Sequence, residues 1–470
     1  MNFEQELIER LNPADPVEPL SADEIQQKWN DIESIMKELR LTGKIIRAVP
    51  SPNVLRFEIE AETDQGGSIS PAYHTLCKQT KKKFCSKLRV TRKGYSLSLE
   101  IPNDRQQFVP ARQLFESERW KNTTMELPVA LGIGDHYATV MFDLVEAHHC
   151  LIAGGIGAGK KSCTQMLLAS LMLKHSPEEV KFALFNLKFL PFSQYSESPY
   201  LLHPMITDYQ ETPMGLETLV VEMERRLQLL AEADCRKLSD YNQSGKGQLP
   251  YIVVVLDDLC DFFVAKEWQK SLQAIVNLVA KGQDAGIHLI ASTSRTAPNA
   301  LANAIKKVFP TKFVFQTAFS GDSHLIAEKL LGKGDMLFIQ KDQSITRLQG
   351  GFLEDEENVR LLDGICDAYG TGNSKQPLSE QPAEEPAAVL PRLKITKELR
   401  AMVEQVVKAL LPSEIVSIAR VQRALRIGYH RAEYLLIILE QRGIISQQSV
   451  QGTRSFLVSS LEEAKRKLQG

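Results

Sequence analysis

CLIAGGIGAGKKS, residues Cys150–Ser162, is the stretch whose reading decides the fold. CLIA (Cys150–Ala153) has the character of a short buried strand, a glycine-rich turn follows, and TQMLLASLMLK (Thr164–Lys174) continues as a helix. Strand, glycine turn, lysine and helix are the parts a phosphate-binding loop needs. Glycines let backbone N–H groups curl around an anion, the helix N-terminus adds positive potential, and the lysine reaches the β- and γ-phosphates. Gly154-x-x-x-x-Gly159-Lys160 fits that core, so Gly154, Gly155, Gly157, Ala158, Gly159, Lys160, Lys161 and Ser162 are the expected nucleotide-binding residues. The position after the lysine ordinarily carries a Ser or Thr whose hydroxyl holds Mg²⁺. Here it is Lys161. Sliding the register to use Ser162 fails, because Lys160 would then occupy the obligatory glycine position.

Such a loop works with carboxylates at the end of a neighbouring strand. YIVVVL (Tyr251–Leu256) ends in Asp257-Asp258, which places Asp257 as the metal-organising carboxylate and Asp258 as the group that polarises the attacking water. Alone, two acids after an apolar strand read as a helix cap. Paired with Gly154–Lys160 they read as a nucleotide site.

Outward from this pair, residues 128–370 alternate short apolar runs with helical stretches. HHCLIAGG, VKFALFNL, YIVVVLDD, GIHLIAST, TKFVFQT and GDMLFIQ suit parallel strands buried on both faces, and GLETLVVEMERRLQLLAEA suits a helix between them. The expectation is an α/β domain with a parallel sheet. Upstream, residues 43–127 alternate like strands, and residues 1–40 form an acidic helical leader with ten acids against four bases. Within that leader Ser21-x-x-Glu24 is a capping-box pattern ahead of Ile25, Trp29, Ile32, Met36 and Leu39 at helical spacing. Downstream, residues 371–391 hold four prolines among small polar residues and read as a linker. Residues 392–470 return to helical periodicity.

Composition sets the outer limits. Of 470 residues, 43% are hydrophobic and 24% charged, which excludes wholesale disorder and fits about three domains. The seven cysteines, Cys77, Cys85, Cys150, Cys163, Cys235, Cys260 and Cys366, form no C-x-x-C pair, so neither a zinc site nor a disulfide framework is indicated. His148-His149-Cys150 enters a buried strand and lacks a fourth ligand, which argues against a metal site. MNFEQELIER has neither the basic start nor the apolar stretch of a signal peptide. With no apolar run of the roughly 18 residues a membrane span requires, a soluble, cytoplasmic protein is expected. The net charge of −2 conceals a segregation. Residues 71–127 hold twelve Lys or Arg against five acids, and residues 392–470 hold fourteen against seven, so two segments each carry an excess of seven. Both are candidates for phosphate contact.

Ordered landmarks along the chain identify a family. RFEIE (Arg56–Glu60), IPNDRQQFV (Ile101–Val109), LPVALG (Leu127–Gly132), AGGIGAGK (Ala153–Lys160) and PYLLHPMITD (Pro199–Asp208) come first. EMERR (Glu222–Arg226), LPYIVVVLDDLCD (Leu249–Asp261), AGIHL (Ala285–Leu289), LLGKGDML (Leu330–Leu337) and RALRIGYHRAEYLL (Arg423–Leu436) follow. In this series the sequence resembles the soluble motor region of the FtsK/SpoIIIE DNA translocases, from about residue 40 to 458. The resemblance implies an α/β protein with a RecA-like P-loop NTPase core (128–370). A small α+β N-terminal domain (41–127) precedes that core, and a C-terminal winged helix-turn-helix (γ-like) domain (392–470) follows the Pro-rich linker. It further implies ATP and Mg²⁺ as cofactors, double-stranded DNA as partner, and a homo-hexamer or a mixed ring with a related motor. A site-specific recombinase is the implied partner of the γ-like domain. The family's membrane-anchoring N-terminal region is expected to be absent. A conjugation coupling protein, the nearest competing class, leaves the residues around 41–127 and 392–470 unexplained.

Against the family pattern four roles are changed. Lys161 replaces the Mg²⁺-binding hydroxyl, and Asp258 replaces the catalytic Glu. Ser294 replaces the Gln of ATQRP that senses the γ-phosphate, and Gln283 stands where an arginine finger is usual. Two readings therefore compete: an ATP-driven translocase in chromosome segregation and cell division, or a non-hydrolysing paralogue that serves as a scaffold beside an active motor. In the γ-like domain the family's base-reading Asn, Arg and Glu fall at His430, Tyr434 and Ile437. None of the three is retained, and Ile437 cannot make a polar base contact. The expected DNA contacts are therefore His430 and Tyr434, Tyr429 at the turn, and Arg423, Arg426, Arg431 and Arg454 for phosphates, with a purely protein-binding winged helix as the competing reading.

Overall fold

The acidic leader forms two helices that pack on different hosts. α1 (Phe3–Glu9) buries Leu7 and Ile8 against the main core, and its Glu4 accepts a hydrogen bond from Trp120 Nε1 (2.8 Å) and pairs with Lys174 (2.8 Å). α2 (Ala22–Glu38) begins with the expected capping box, Ser21 and Glu24 each bonding the other's backbone N–H. Its Ile32, Ile35 and Met36 cover a four-stranded antiparallel sheet instead. That sheet, ordered β1-β2-β4-β3, is built from β1 (Lys44–Pro50), β2 (Val54–Glu60), β3 (Lys87–Val90) and β4 (Ser96–Pro102). Leu55, Phe57, Ile59, Leu99 and Ile101 point from alternate positions into the shared core, as the period of two requires.

The computed structural model describes residues 3–372, except 14–15, 42, 61–75, 77–86, 91–95, 188–189, 260, 264–267, 295–307 and 317–329, together with scattered residues from 405 onward. Residues 1–380 and 381–470 are separate compact units.

A ten-stranded sheet organises the first unit. It starts with β5 (Val109–Pro110), which leads into α3 (Ala111–Phe115), then β6 (Pro128–Ile133) and β7 (Thr139–Asp143). Next come β8 (Cys150–Ala153), α4 (Lys160–Lys174), β9 (Val180–Phe185), α5 (Thr212–Glu232) and β10 (Tyr251–Leu256). The series ends with α6 (Trp268–Lys281), β11 (Ile287–Thr293), β12 (Thr311–Phe315), β13 (Asp335–Ile339), β14 (Ile345–Phe352) and α7 (Asp355–Tyr369). The spatial order is β7-β6-β14-β13-β12-β8-β11-β10-β9, with β5 beside β14. Every residue of β8, β10 and β11 is buried, so these strands are covered on both faces. Helix α4 is buried from Cys163 to Leu173 on all sides, between the sheet and the packing of α1 and α7.

The sheet is parallel from β9 through β10, β11 and β8 to β12, and again where β5 meets β14. GDMLFIQ, expected as another parallel strand, pairs antiparallel with β12 as β13. The cause lies at the two ends of the intervening segment. Gln316 just after β12 accepts from Gly155, and Gly334 just before β13 donates to Ala158. Both ends are fixed at the glycine loop, so the chain re-enters the sheet from the end it left and must run back.

His149 and His288 are buried at the opposite end of the sheet, and the His288 Nε2 atom has no hydrogen-bond partner among the described residues. Burial pushes the His288 imidazole down to about 4 and holds His149 well below its ordinary value. The folded state keeps both neutral, whereas the unfolded chain protonates them near 6.5. Their contribution is complete above pH 6.5 and is lost as pH falls toward 4. The urea midpoint should therefore drop between pH 7 and pH 4, with His288 alone contributing on the order of 3 kcal/mol. His288→Leu should flatten that slope, and a native midpoint constant over this range would refute the assignment.

In the second unit the described residues form an apolar centre including Val406, Val407, Leu436, Leu439 and Ile444. β15 (Ile415–Val416) pairs antiparallel with β16 (Arg454–Ser455). Ser446 N donates to Ser455 O (2.8 Å), Leu457 N donates to Ile444 O (2.8 Å), and Ile445 bridges Phe456 antiparallel.

Candidate functional site

The glycine loop leaves β8 at the carboxyl end of the parallel strands, where crevices between strand ends collect ligands. Gly154 N donates to Thr293 O (3.2 Å) and Gly155 N to Gln316 O (2.8 Å), which fastens the base of the loop to both neighbouring strands. Gly157 and Gly159 have φ of +74° and +119°, the region other residues avoid. A Cβ on Gly159 would also stand 3.1 Å from the Gly334 Cα and the Phe315 ring. Across the loop, Lys160 Nζ donates to Gly154 O (2.9 Å) and Gly155 O (2.8 Å). The residues Gly154 to Ser162 thus come together in one glycine loop at the head of α4, closed by Lys160.

Charge at the loop points to an anion. The first turn of α4 carries no acid and two lysines, Lys160 and Lys161, against the positive end of the helix dipole. Each such cation costs about 0.3–1 kcal/mol, a cost that a bound anion removes. Lys161 is held outside the loop, its Nζ 2.7 Å from both carboxylate oxygens of Asp355 in the first turn of α7. Gln165, one turn along α4, donates to the same carboxylate (2.9 Å). The bonds from Lys161 and Gln165 hold the Asp355 carboxyl below the usual carboxylate range. Lys161, Ser162, Gln165 and residues 352–356 line a cleft of about 390 Å³ beside the loop.

β11 lies between β8 and β10, and its end organises the two aspartates. Ser292 Oγ donates to Asp257 Oδ1 (2.8 Å) and accepts from Asp258 N (2.8 Å). Asp258 is buried, adopts φ +54°, and accepts from Ser294 Oγ (2.6 Å) and Ser294 N (3.3 Å). Asp258 and Ser294, two of the four positions that depart from the pattern, are therefore bonded to each other. Gln283 lies before β11 at the far end of the strand, beside His148, and does not join the site within one chain.

The residues present do not fit a Mg²⁺ ion held in the usual P-loop manner. A lysine stands where a hydroxyl ligand is needed, and Asp257 and Asp258 already accept hydrogen bonds from Ser292 and Ser294. Among the described residues no cluster of three His, Cys, Asp or Glu side chains could hold a metal.

Sequence reading missed Asp355, Gln165 and Ser292. Asp355 is 194 positions from Lys161, and no local pattern announces the pair. Of the expected DNA contacts, Arg423, Arg426, Tyr429, His430, Arg431 and Tyr434 lie outside the described residues, and Arg454 lies in β16. Among the described residues no helix is long and apolar enough to cross a membrane.

Comparison with known proteins extends the geometry. The sequence pattern of the FtsK/SpoIIIE family matches residues 111–298, and that of the Ftsk gamma domain matches residues 397–459. DNA translocase FtsK 1 of Neisseria meningitidis serogroup B is 31% identical over 95% of this chain, and DNA translocase FtsK of Clostridium tetani is 30% identical over 98%. The chain spans 58% and 63% of those relatives, less than two thirds of their length. Among solved structures, the pCW3 conjugation coupling protein TcpA, determined with ATPγS, matches at a TM-score of 0.51 and 17% identity. That match covers 72% of this chain and 99% of TcpA, and it is a likeness of fold. These matches run along the glycine loop, the Asp257-Asp258 strand and the C-terminal segment, and the chain belongs to the FtsK/SpoIIIE family.

Proposed function

We propose that the chain is the motor portion of an ATP-driven double-stranded DNA translocase that serves chromosome segregation and cell division in the cytoplasm. The observation that supports this reading is the glycine loop Gly154–Ser162, with the Lys160 ammonium lying across it, in a chain whose relatives are named DNA translocases. In this reading residues 128–370 are a RecA-like engine and residues 41–127 the domain stacked on it. Residues 392–470, joined through the linker at 371–391, are a winged-helix module. Copies assemble as a hexameric or mixed ring around the duplex, and the winged-helix module meets DNA and a recombinase.

The chain's own groups divide the work. Backbone N–H groups of the loop and the start of α4 bind the phosphates, and Lys160 exchanges its two carbonyl partners for the β/γ oxygens. Asp258, fixed by Ser294, orients the attacking water. In the γ-like module Arg423, Arg426, Arg431 and Arg454 bind DNA phosphates, while Tyr429, His430 and Tyr434 approach the bases. ATP turnover of the full chain, measured with and without long duplex DNA, tests the motor. Turnover above about one per second that depends on DNA supports it. No turnover in a protein that still binds nucleotide would overturn it in favour of the scaffold.

A further inference from the structure

Lys161 puts a cation where the phosphate loop ordinarily recruits one. On the nucleotide-binding reading above, we infer that this site takes the nucleoside triphosphate without a divalent metal, the Lys161 ammonium standing in for the ion. Three observations lead there. First, the residue that would ligate the metal is itself positive, and a dication beside it would meet like-charge repulsion in a site already carrying Lys160. Second, the carboxylates that would organise the metal's water shell are tied to hydroxyls, Asp257 to Ser292 and Asp258 to Ser294. Third, Lys161 is anchored in a way that permits release. Its partner Asp355 sits on the wall of the cleft beside the loop, and the two side chains are 42% and 63% exposed. An exposed pair of this kind holds weakly. A triphosphate carries several negative charges on closely spaced oxygens, so it outcompetes a single exposed carboxylate for a flexible four-carbon ammonium.

Both lysines thus wait on substitute acceptors, Lys160 on loop carbonyls and Lys161 on Asp355, and both transfer to phosphate on binding. Two fixed cations replace the usual one lysine and one dication. The consequence is affinity insensitive to chelation.

The test is a binding titration of the full chain with fluorescent N-methylanthraniloyl-ATP, in excess Mg²⁺ and in EDTA. For the native protein the two dissociation constants should agree within about threefold, and weakening of more than about tenfold in EDTA overturns the inference. Lys161→Thr restores the hydroxyl: its affinity in EDTA should fall at least about tenfold below native and recover when Mg²⁺ is added. Metal-free binding by Lys161→Thr as tight as native also overturns it. If the native chain binds in neither buffer, the nucleotide reading itself fails and this inference falls with it. Circular dichroism of both proteins separates a binding defect from misfolding.

Discussion

Alanine at position 160 is expected to weaken ATP binding about 100-fold and to lower stability by about 2 kcal/mol. Lys160 now makes two hydrogen bonds from its ammonium to the carbonyls of Gly154 and Gly155, and on binding it would redirect them to phosphate oxygens. Bonds to charged groups contribute about 1.5–3 kcal/mol each, so losing two of the weaker kind gives about 3 kcal/mol, or about 100-fold. The stability terms oppose one another. Removing the two loop bonds costs the fold about 3 kcal/mol on the same scale, partly offset because removing a cation from the positive end of α4 returns about 0.3–1 kcal/mol and alanine is the better helix former. Titration calorimetry and a thermal melt of the same sample separate the two. Equal affinity of native and Lys160→Ala would show that this lysine does not hold phosphate.

That prediction was open to sequence reading, because everything it uses is local. The glycines of Gly154–Gly159, the lysine behind them and the apolar strand before them lie within a dozen residues, and only one kind of turn satisfies that combination. Asp257 and Asp258 were legible for the same reason, at the end of a run as apolar as YIVVVL. What failed was anything that depends on direction or on distant partners. Periodicity reports that GDMLFIQ is buried on both faces, but an apolar run reads the same parallel or antiparallel. Its direction was set by Gly155 and Gly334 bonding the two ends of the preceding segment to the loop. Residues 1–40 read by spacing as one helical leader, yet α1 and α2 pack on different cores, with Trp120 and Lys174, far along the chain, holding α1. Likewise Lys161, Asp258 and Ser294 were visible one by one as departures from a pattern. Only the fold shows that Asp258 and Ser294 bond each other and that Lys161 rests on Asp355.

Arg347 was not singled out by any pattern, and its loss should be the most damaging single change in the first unit. It lies on β14 and forks onto Asp335 at the start of β13, with Nε to Oδ1 at 3.0 Å and Nη2 to Oδ2 at 2.6 Å. Its remaining nitrogen Nη1 donates to Glu100 of β4, in the four-stranded sheet. The three side chains are 6%, 0% and 5% exposed, so water screens none of them. The group holds two carboxylates and one guanidinium, a net charge of −1 in the interior. Removing the guanidinium leaves both carboxylates buried and uncompensated, a loss of about 3–5 kcal/mol by comparison with broken buried pairs elsewhere. Arg347→Met should therefore lower the urea midpoint steeply, and Arg347→Lys should rescue little, because one ammonium cannot reproduce a bidentate fork and a third bond at once. By contrast, the triple replacement Arg347→Met, Asp335→Leu, Glu100→Leu removes every charge together and should recover much of the loss. The position gives the network a second consequence. Asp335 directly follows Gly334, whose N–H donates to Ala158 in the phosphate loop, so Arg347 ties the four-stranded sheet to the floor of the nucleotide site. Arg347→Met should accordingly weaken nucleotide binding even at temperatures where the protein remains folded. A loss of under about 1 kcal/mol in Arg347→Met would mean that water reaches these carboxylates, and that the sheet and the loop are held together by apolar packing alone.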